Sequence, residues 1–386
     1  MNFQDSADWT YPVPIHYGPG RISELPEIFK KNNLKRPLIV TDKGSSDLPF
    51  IKGIINNLDK KGIFGELFDE ISPNPLDIDI LKGKSIYEEG KHDSIIAIGG
   101  GSGMDGGKAI SLMAGNKHNI WDFNYDNPVD EQLNNFPPLL CIPTTAGTGA
   151  ETESTSMITN TFSGMKLCIW HPNQKPIGTI LDPNLTLSLP RNLTSWTGVD
   201  ALVHAIEAYS VNSLNSVADG MALEALRLIG ENLQKVVKKP SDIEARGAML
   251  VGSCLAGISF LKGLGLVHAI SHMIGAVYNT QHGLTNAILL PSILKFNQFE
   301  IDHKINNMHF AMFSKPGKFN DFYKNISNIL EELEIPSSLK EIGVQADKIN
   351  ELAVKSSKDS AAYTNPKQAS IDDLEKIIKN ALVEAR

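Results

Sequence analysis

Residues 94–110 read SIIAIGGGSGMDGGKAI. A run that is apolar at every second and every intervening position breaks at a cluster of glycines and passes into a helix-compatible segment. A strand apolar throughout is buried on both faces, which is the signature of a parallel sheet covered by helices. Glycines at its end let the backbone approach a ligand closely, and the free amides opening the next helix favour an anion such as a pyrophosphate. Gly101, Gly103 and Gly106 satisfy G-x-G-x-x-G literally. That fingerprint asks for an acidic residue about 20 positions onward, which selects Asp122 or Asp126. A plain tight strand-to-helix turn is the alternative.

The same texture extends outward. PLIVTD (37–42), FGELFDEI (64–71), PLLCIP (138–143) and PIGTILD (176–182) read as further strands, separated by helical patterns, while STSMIT (154–159) and KLCIW (166–170) read as an added hairpin. A second polar loop, PTTAGTGAE (143–151), follows the fourth of these strands and offers Thr144, Thr145, Thr148 and Gly149. Strand ends line up in a parallel sheet, so both loops can face one ligand; Thr and Gly also populate ordinary turns. After LDPNLTLSLP (181–190) the spacing becomes helical over 199–209, 218–237, 243–261, 319–333 and 371–383. The reading is an α/β domain over 1–187 that binds a dinucleotide, then an all-helical domain over 188–386, with the site expected in the cleft between them.

Composition narrows the function. A chain of 386 residues exceeds what one core usually serves. The net charge of −8, without a basic block, argues against nucleic acid as a partner. The opening MNFQDSADWTY lacks a basic segment followed by an apolar one, so no secretory leader is expected. The longest apolar run, 249–261, is read as too short and too glycine-interrupted to cross a bilayer. Cys141, Cys168 and Cys254 form no metal or redox motif and suit a reducing cytoplasm.

Ten histidines occur in the chain, and three fall within HAISHMIGAVYNTQH (268–282). Asp200 and His204 in GVDALVHAIEAY stand four apart on a helix, so they share a face; His268 and His272 repeat the spacing, and His282 follows in a turn. A single histidine on an apolar helix is ordinarily a satisfied core residue, and an aspartate near a helix start is often a cap. Taken together they need partners, because each unpaired buried polar group costs roughly 1–3 kcal/mol. Asp200, His204, His268 and His282 make a one-carboxylate, three-imidazole set suited to Fe(II) or Zn(II).

The GGGSxxD-like loop, TTAGTG, D-x3-H and H-x3-H-x9-H together resemble the iron-containing (group III) alcohol dehydrogenase family over nearly the whole chain. The resemblance implies a dehydroquinate-synthase-like fold, with an α/β nucleotide-binding domain followed by an all-α domain that carries the metal. It implies Asp200, His204, His268 and His282 as ligands, and His272 beside the metal and nicotinamide without ligating. Gly99, Gly100, Gly101, Ser102 and Asp105, then Thr144, Thr145, Thr148 and Lys166, are implied as nucleotide contacts. Asp42, ending LIVTD, matches the position that selects NAD over NADP, because a carboxylate there accepts bonds from the ribose hydroxyls and repels a 2′-phosphate. That choice conflicts with Asp122 or Asp126 and is preferred to them.

Two departures, Ala150 for a serine and Gly106 for a threonine, bear on cofactor affinity. In SFLKGLG (259–265), Phe260 is expected to line an apolar substrate channel. Lys262 is read either as a solvated helix-end lysine or as a cation favouring hydroxy acids or semialdehydes. The implied reaction is reversible alcohol oxidation (EC 1.1.1.-) by a cytoplasmic homodimer or larger homo-oligomer, with no membrane partner. His272 either relays the hydroxyl proton or only supports the site. The rival readings are a sugar-phosphate-cyclase-like enzyme of the same superfold, a maleylacetate reductase, and a metal- or nucleotide-binding module without turnover. Sugar-phosphate cyclases need an Arg/Lys cluster that the helical half lacks, and maleylacetate reductases lack the full ligand set.

Overall fold

The computed structural model describes residues 7–9, 13–126, 129, 133 and 135–384. Most of the segment read for a leader lies outside them. The chain forms two compact units, the described residues of Met1–Thr145 with Ala150–Ser188, and Ala146–Gly149 with Leu189–Arg386.

Among the described residues, the first unit has nine strands: β1 (Ala7–Trp9), β2 (Ile15–Tyr17), β3 (Pro37–Asp42), β4 (Glu66–Ile71), β5 (Ser94–Gly99), β6 (Leu139–Pro143), β7 (Thr155–Asn160), β8 (Met165–Trp170) and β9 (Gly178–Leu181). Seven of them make one sheet in the order β1-β2-β9-β6-β5-β3-β4, parallel except for β1. Strands β7 and β8 pair separately as the antiparallel hairpin. Helices α1 (Leu25–Lys31), α2 (Pro49–Asp59), α3 (Asp77–Glu89) and α4 (Gly101–Ala114) cover the sheet.

Alternate residues of one strand serve different cores, which is why these strands read as apolar throughout. Leu38, Val40, Ile95 and Ala97 pack with Ile80 and Met104 of α3 and α4. Ile39, Ile96 and Ile98 pack with Phe29, Ile51 and Leu58 of α1 and α2. Strands β1 and β2 were not read from the sequence, since three-residue edge strands leave almost no periodic signal.

The second unit is helical: α5 (Arg191–Ser210), α6 (Ser216–Lys238), α7 (Ile243–Ser259), α8 (Leu266–Tyr278), α9 (His282–Phe313), α10 (Phe319–Glu332), α11 (Ile349–Ser356), α12 (Ser360–Thr364) and α13 (Ile371–Val383). The stretch Ile243–Lys262 is long and apolar enough to cross a bilayer by length and composition alone, which corrects the expectation drawn from the shorter run. However, 78% of its apolar window is buried inside the protein, as in a core helix.

Candidate metal centre and nucleotide loop

Within the first unit, the carboxyl ends of β3, β5 and β6 lie side by side. Gly99 pairs with Pro143, and the Thr144 amide donates to the Gly99 carbonyl at 2.9 Å. Gly99 has φ +144°, a backbone conformation that favours glycine, and a Cβ there would lie 2.9 Å from Asp42 Oδ2. Asp42 is thereby set against the loop, its oxygens already accepting from the Gly44 amide at 2.9 Å and the Ser45 hydroxyl at 2.8 Å.

Gly100 caps α4 without a side-chain hydrogen bond, which leaves the opening amides for an anion. Thr145 lies beside it, its Cγ2 3.4 Å from where a Gly100 Cβ would stand. Gly101 opens the helix, Ser102 donates to the Pro73 carbonyl at 2.5 Å, and Asp105 pairs with buried Lys108 at 3.3 Å. Gly106 is accounted for by packing, since a Cβ would approach Ile71 Cδ1 to 2.6 Å. Buried Lys166 on β8 donates to Asn74 Oδ1 at 3.2 Å. Asp122 caps its own 3-10 turn by accepting from the Asn119 amide at 2.9 Å. Thr148 belongs with the second unit, in Ala146–Gly149.

In the second unit, α5 carries Asp200 and His204 on one face, α8 carries His268 and His272, and α9 begins at His282. Asp200, His204 and His268, all buried, each bring one ligand atom within 4.8 Å of the others. His282 Nε2 lies 3.6 Å, and His268 Nε2 3.8 Å, from Asp200 Oδ1. The rings of His204 and His268 stack at 4.5 Å between centroids, and those of His272 and His282 at 5.4 Å. Burial pushes the His204 imidazole down to about 4, against the pull of Asp200, so it stands neutral with a lone pair to give. Three imidazoles and one carboxylate, without sulfur, fit a divalent ion of the iron or zinc kind.

An outer ring of polar groups fixes these side chains. His268 Nδ1 lies 2.6 Å from Glu207 Oε2, so the ring proton faces Glu207 and the Nε2 lone pair faces the donor set. Glu207 also accepts from the amides of Gly265 at 3.1 Å and Val267 at 2.8 Å, tying down the start of α8. Asn365 adds a third tie, accepting from the Leu266 amide at 3.2 Å. Burial pushes the Glu207 carboxyl up to about 7, opposed by the Val267 and Gly265 amides. His272 Nδ1 lies 2.9 Å from Asp359 Oδ2, and Asn286 Nδ2 is 2.7 Å from Asp200 Oδ1.

Sequence reasoning missed Glu207, Asn286 and Asp359. The first two were within reach, because Glu207 is three residues beyond His204 and Asn286 four beyond His282, on the same helix faces. Asp359 is 87 residues from His272, and no local pattern announces it.

Phe260 packs its ring on His204, with centroids 5.2 Å apart. Lys262 is neither solvated nor open to a substrate carboxylate. It is buried, and its ammonium pairs with Asp219 at 2.5 Å. Its burial corrects the reading of a solvated helix-end lysine; a charge already compensated by Asp219 is a poor receptor for a second anion.

Residues 12–183 match the iron-containing alcohol dehydrogenase family, and 194–382 match the C-terminal part of the Fe-containing alcohol dehydrogenase family. The chain is 34% identical to an NAD-dependent methanol dehydrogenase of Bacillus methanolicus, over 95% of this chain and 97% of that one. It is 32% identical to a 1,3-propanediol dehydrogenase of Citrobacter freundii, over 97% and 98%. A crystal structure of a 1,3-propanediol oxidoreductase superposes with a TM-score of 0.90 at 30% identity, covering 99% of this chain and 100% of that one. With both halves matched, the chain belongs to the iron-containing alcohol dehydrogenase family.

Proposed function

We propose that the protein reversibly oxidises a primary or secondary alcohol to an aldehyde or ketone with NAD. The first domain, 1–187, holds the dinucleotide, and the second, 188–386, holds one divalent ion on Asp200, His204, His268 and His282. The observation that carries this reading is the meeting of Asp200, His204 and His268 within 4.8 Å in a buried setting. When bound, the ion supplies Lewis acidity that acidifies a hydroxyl, and NAD supplies the hydride acceptor. Fe(II) is the ion expected, with Zn(II) served by the same donors.

The chain's own residues do the rest. Asp359 fixes His272 through Nδ1 and frees Nε2 to guide the substrate hydroxyl proton. Phe260, ring against His204, gives the substrate an apolar wall. Gly99, Gly100, Gly101, Ser102 and Asp105, with Thr144, Thr145, Thr148 and Lys166, form the nucleotide contacts. Asp42 favours NAD over NADP, since a carboxylate repels a 2′-phosphate. Relatives named for methanol and 1,3-propanediol support a short primary alcohol as substrate. We assign the protein to the cytoplasm, as a homodimer or larger assembly.

The test is NADH formation from a panel of short alcohols by protein loaded anaerobically with Fe(II) or Zn(II). Turnover that disappears with chelator and in Asp200→Ala is expected. Undiminished turnover in both cases would remove the ion from the reaction. His272→Ala is expected to reshape the pH–rate profile; if it changes only metal retention, the residue is a support for the site.

A further inference from the structure

Asn286 sits in the first turns of α9, fully buried, and its amide nitrogen meets three of the four donors. Nδ2 is 2.7 Å from Asp200 Oδ1, 3.1 Å from His282 Nε2 and 3.3 Å from His268 Nε2. The orientation of the amide is fixed by chemistry, because turning it over would set an acceptor oxygen 2.7 Å from a carboxylate oxygen. Meanwhile Oδ1 is buried with no hydrogen-bond partner among the described residues. A buried amide oxygen left unpaired is destabilising. A side chain retained at that cost is set by what its N–H groups do.

We infer that Asn286 is a positioning residue for the metal donors, its amide N–H group orienting the Asp200 carboxylate and drawing His268 and His282 toward one point. The inference deepens the metal reading above and rests on it. Asp200, His268 and His282 come from three different helices, and three electron-rich atoms crowded together repel one another. The partial positive charge of the amide hydrogens counters that repulsion and fixes which carboxylate oxygen faces the imidazoles. Because Asn286 follows His282 by one helical turn, the same helix that supplies a ligand also aligns two ligands from its neighbours. When an ion takes up the imidazole lone pairs, the bond to Asp200 remains and keeps the carboxylate in register.

The test titrates Co(II) into chelator-treated protein and reads affinity together with the visible d–d spectrum. Variants are Asn286→Ala and the near-isosteric Asn286→Leu, each checked by thermal unfolding, so that one serves if the other does not fold. Wild-type binding that His282→Ala abolishes establishes the site itself. Against that standard, both Asn286 variants are expected to bind about 10–100-fold more weakly and to shift the d–d bands, since removing a group that orients metal ligands has effects of that size. A folded variant with wild-type affinity and spectrum overturns the inference and leaves the metal site standing. Tighter binding overturns it too, because the amide would then be a competitor of the ion. If the wild-type protein binds no Co(II), the metal reading falls, and the inference with it.

Discussion

Replacing Glu207 by glutamine changes one atom of charge and almost no volume, and its effect follows from three bonds. Oε1 accepts from the Val267 amide at 2.8 Å, and Oε2 accepts from the Gly265 amide at 3.1 Å and from His268 Nδ1 at 2.6 Å. A glutamine offers one oxygen. If its NH2 takes the Oε1 place, it faces the Val267 N–H, and one buried donor is left unpaired. If it takes the Oε2 place, it faces the Gly265 N–H and forces His268 to accept at Nδ1. That moves the ring proton to Nε2, where it meets Asp200 and blocks the lone pair a metal needs. The first arrangement costs roughly 1–3 kcal/mol of stability, and the second lowers metal affinity by about 10–100-fold. Urea unfolding of chelator-treated Glu207→Gln, with Co(II) titration of the folded protein, reads both. Wild-type stability together with wild-type affinity would refute the claim that Glu207 sets the His268 tautomer and anchors α8.

Other outcomes follow from the same coordinates. Burial pushes the Glu153 carboxyl up to about 7, with Lys108 and Lys175 opposing and Glu151 adding. A raised folded value means that stability is full below the unfolded value and declines as pH rises through the folded one. Glu153→Gln should therefore flatten the fall in urea stability between about pH 4.5 and pH 7, a fall on the order of 3 kcal/mol in the parent protein; identical pH curves would contradict it. Lys262→Ala should cost about 1–2 kcal/mol, because Asp219 loses its partner but stays one-third exposed to water. It should leave unchanged the preference between an alcohol and its ω-carboxylate analogue; a changed ratio of kcat/KM would restore the substrate role. Asp42→Ala should move the NADP to NAD ratio of kcat/KM toward NADP by about tenfold or more, roughly 1.4 kcal/mol. An unmoved ratio would place cofactor choice elsewhere.

The strands that build the first unit were legible because burial on both faces leaves an unbroken apolar run. PLIVTD is a strand over the same residues, Pro37–Asp42. The donors on α5 and α8 were legible because helical spacing puts i and i+4 on one face. What escaped has a different physical basis. Strands β1 and β2 owe their existence to a free sheet edge, not to their own pattern. Asp359 reaches His272 only through packing of segments remote in sequence. Lys262 misled because its residue type and helix-end position say nothing about Asp219, 43 residues away.

The central claim is that Asp200, His204, His268 and His282 hold one divalent ion. X-ray absorption on protein loaded with a single equivalent of Zn(II) tests it most directly. The account predicts three imidazole nitrogens and one carboxylate oxygen at about 2.0–2.2 Å. A spectrum showing sulfur at about 2.3 Å, or fewer than three imidazoles, would contradict it.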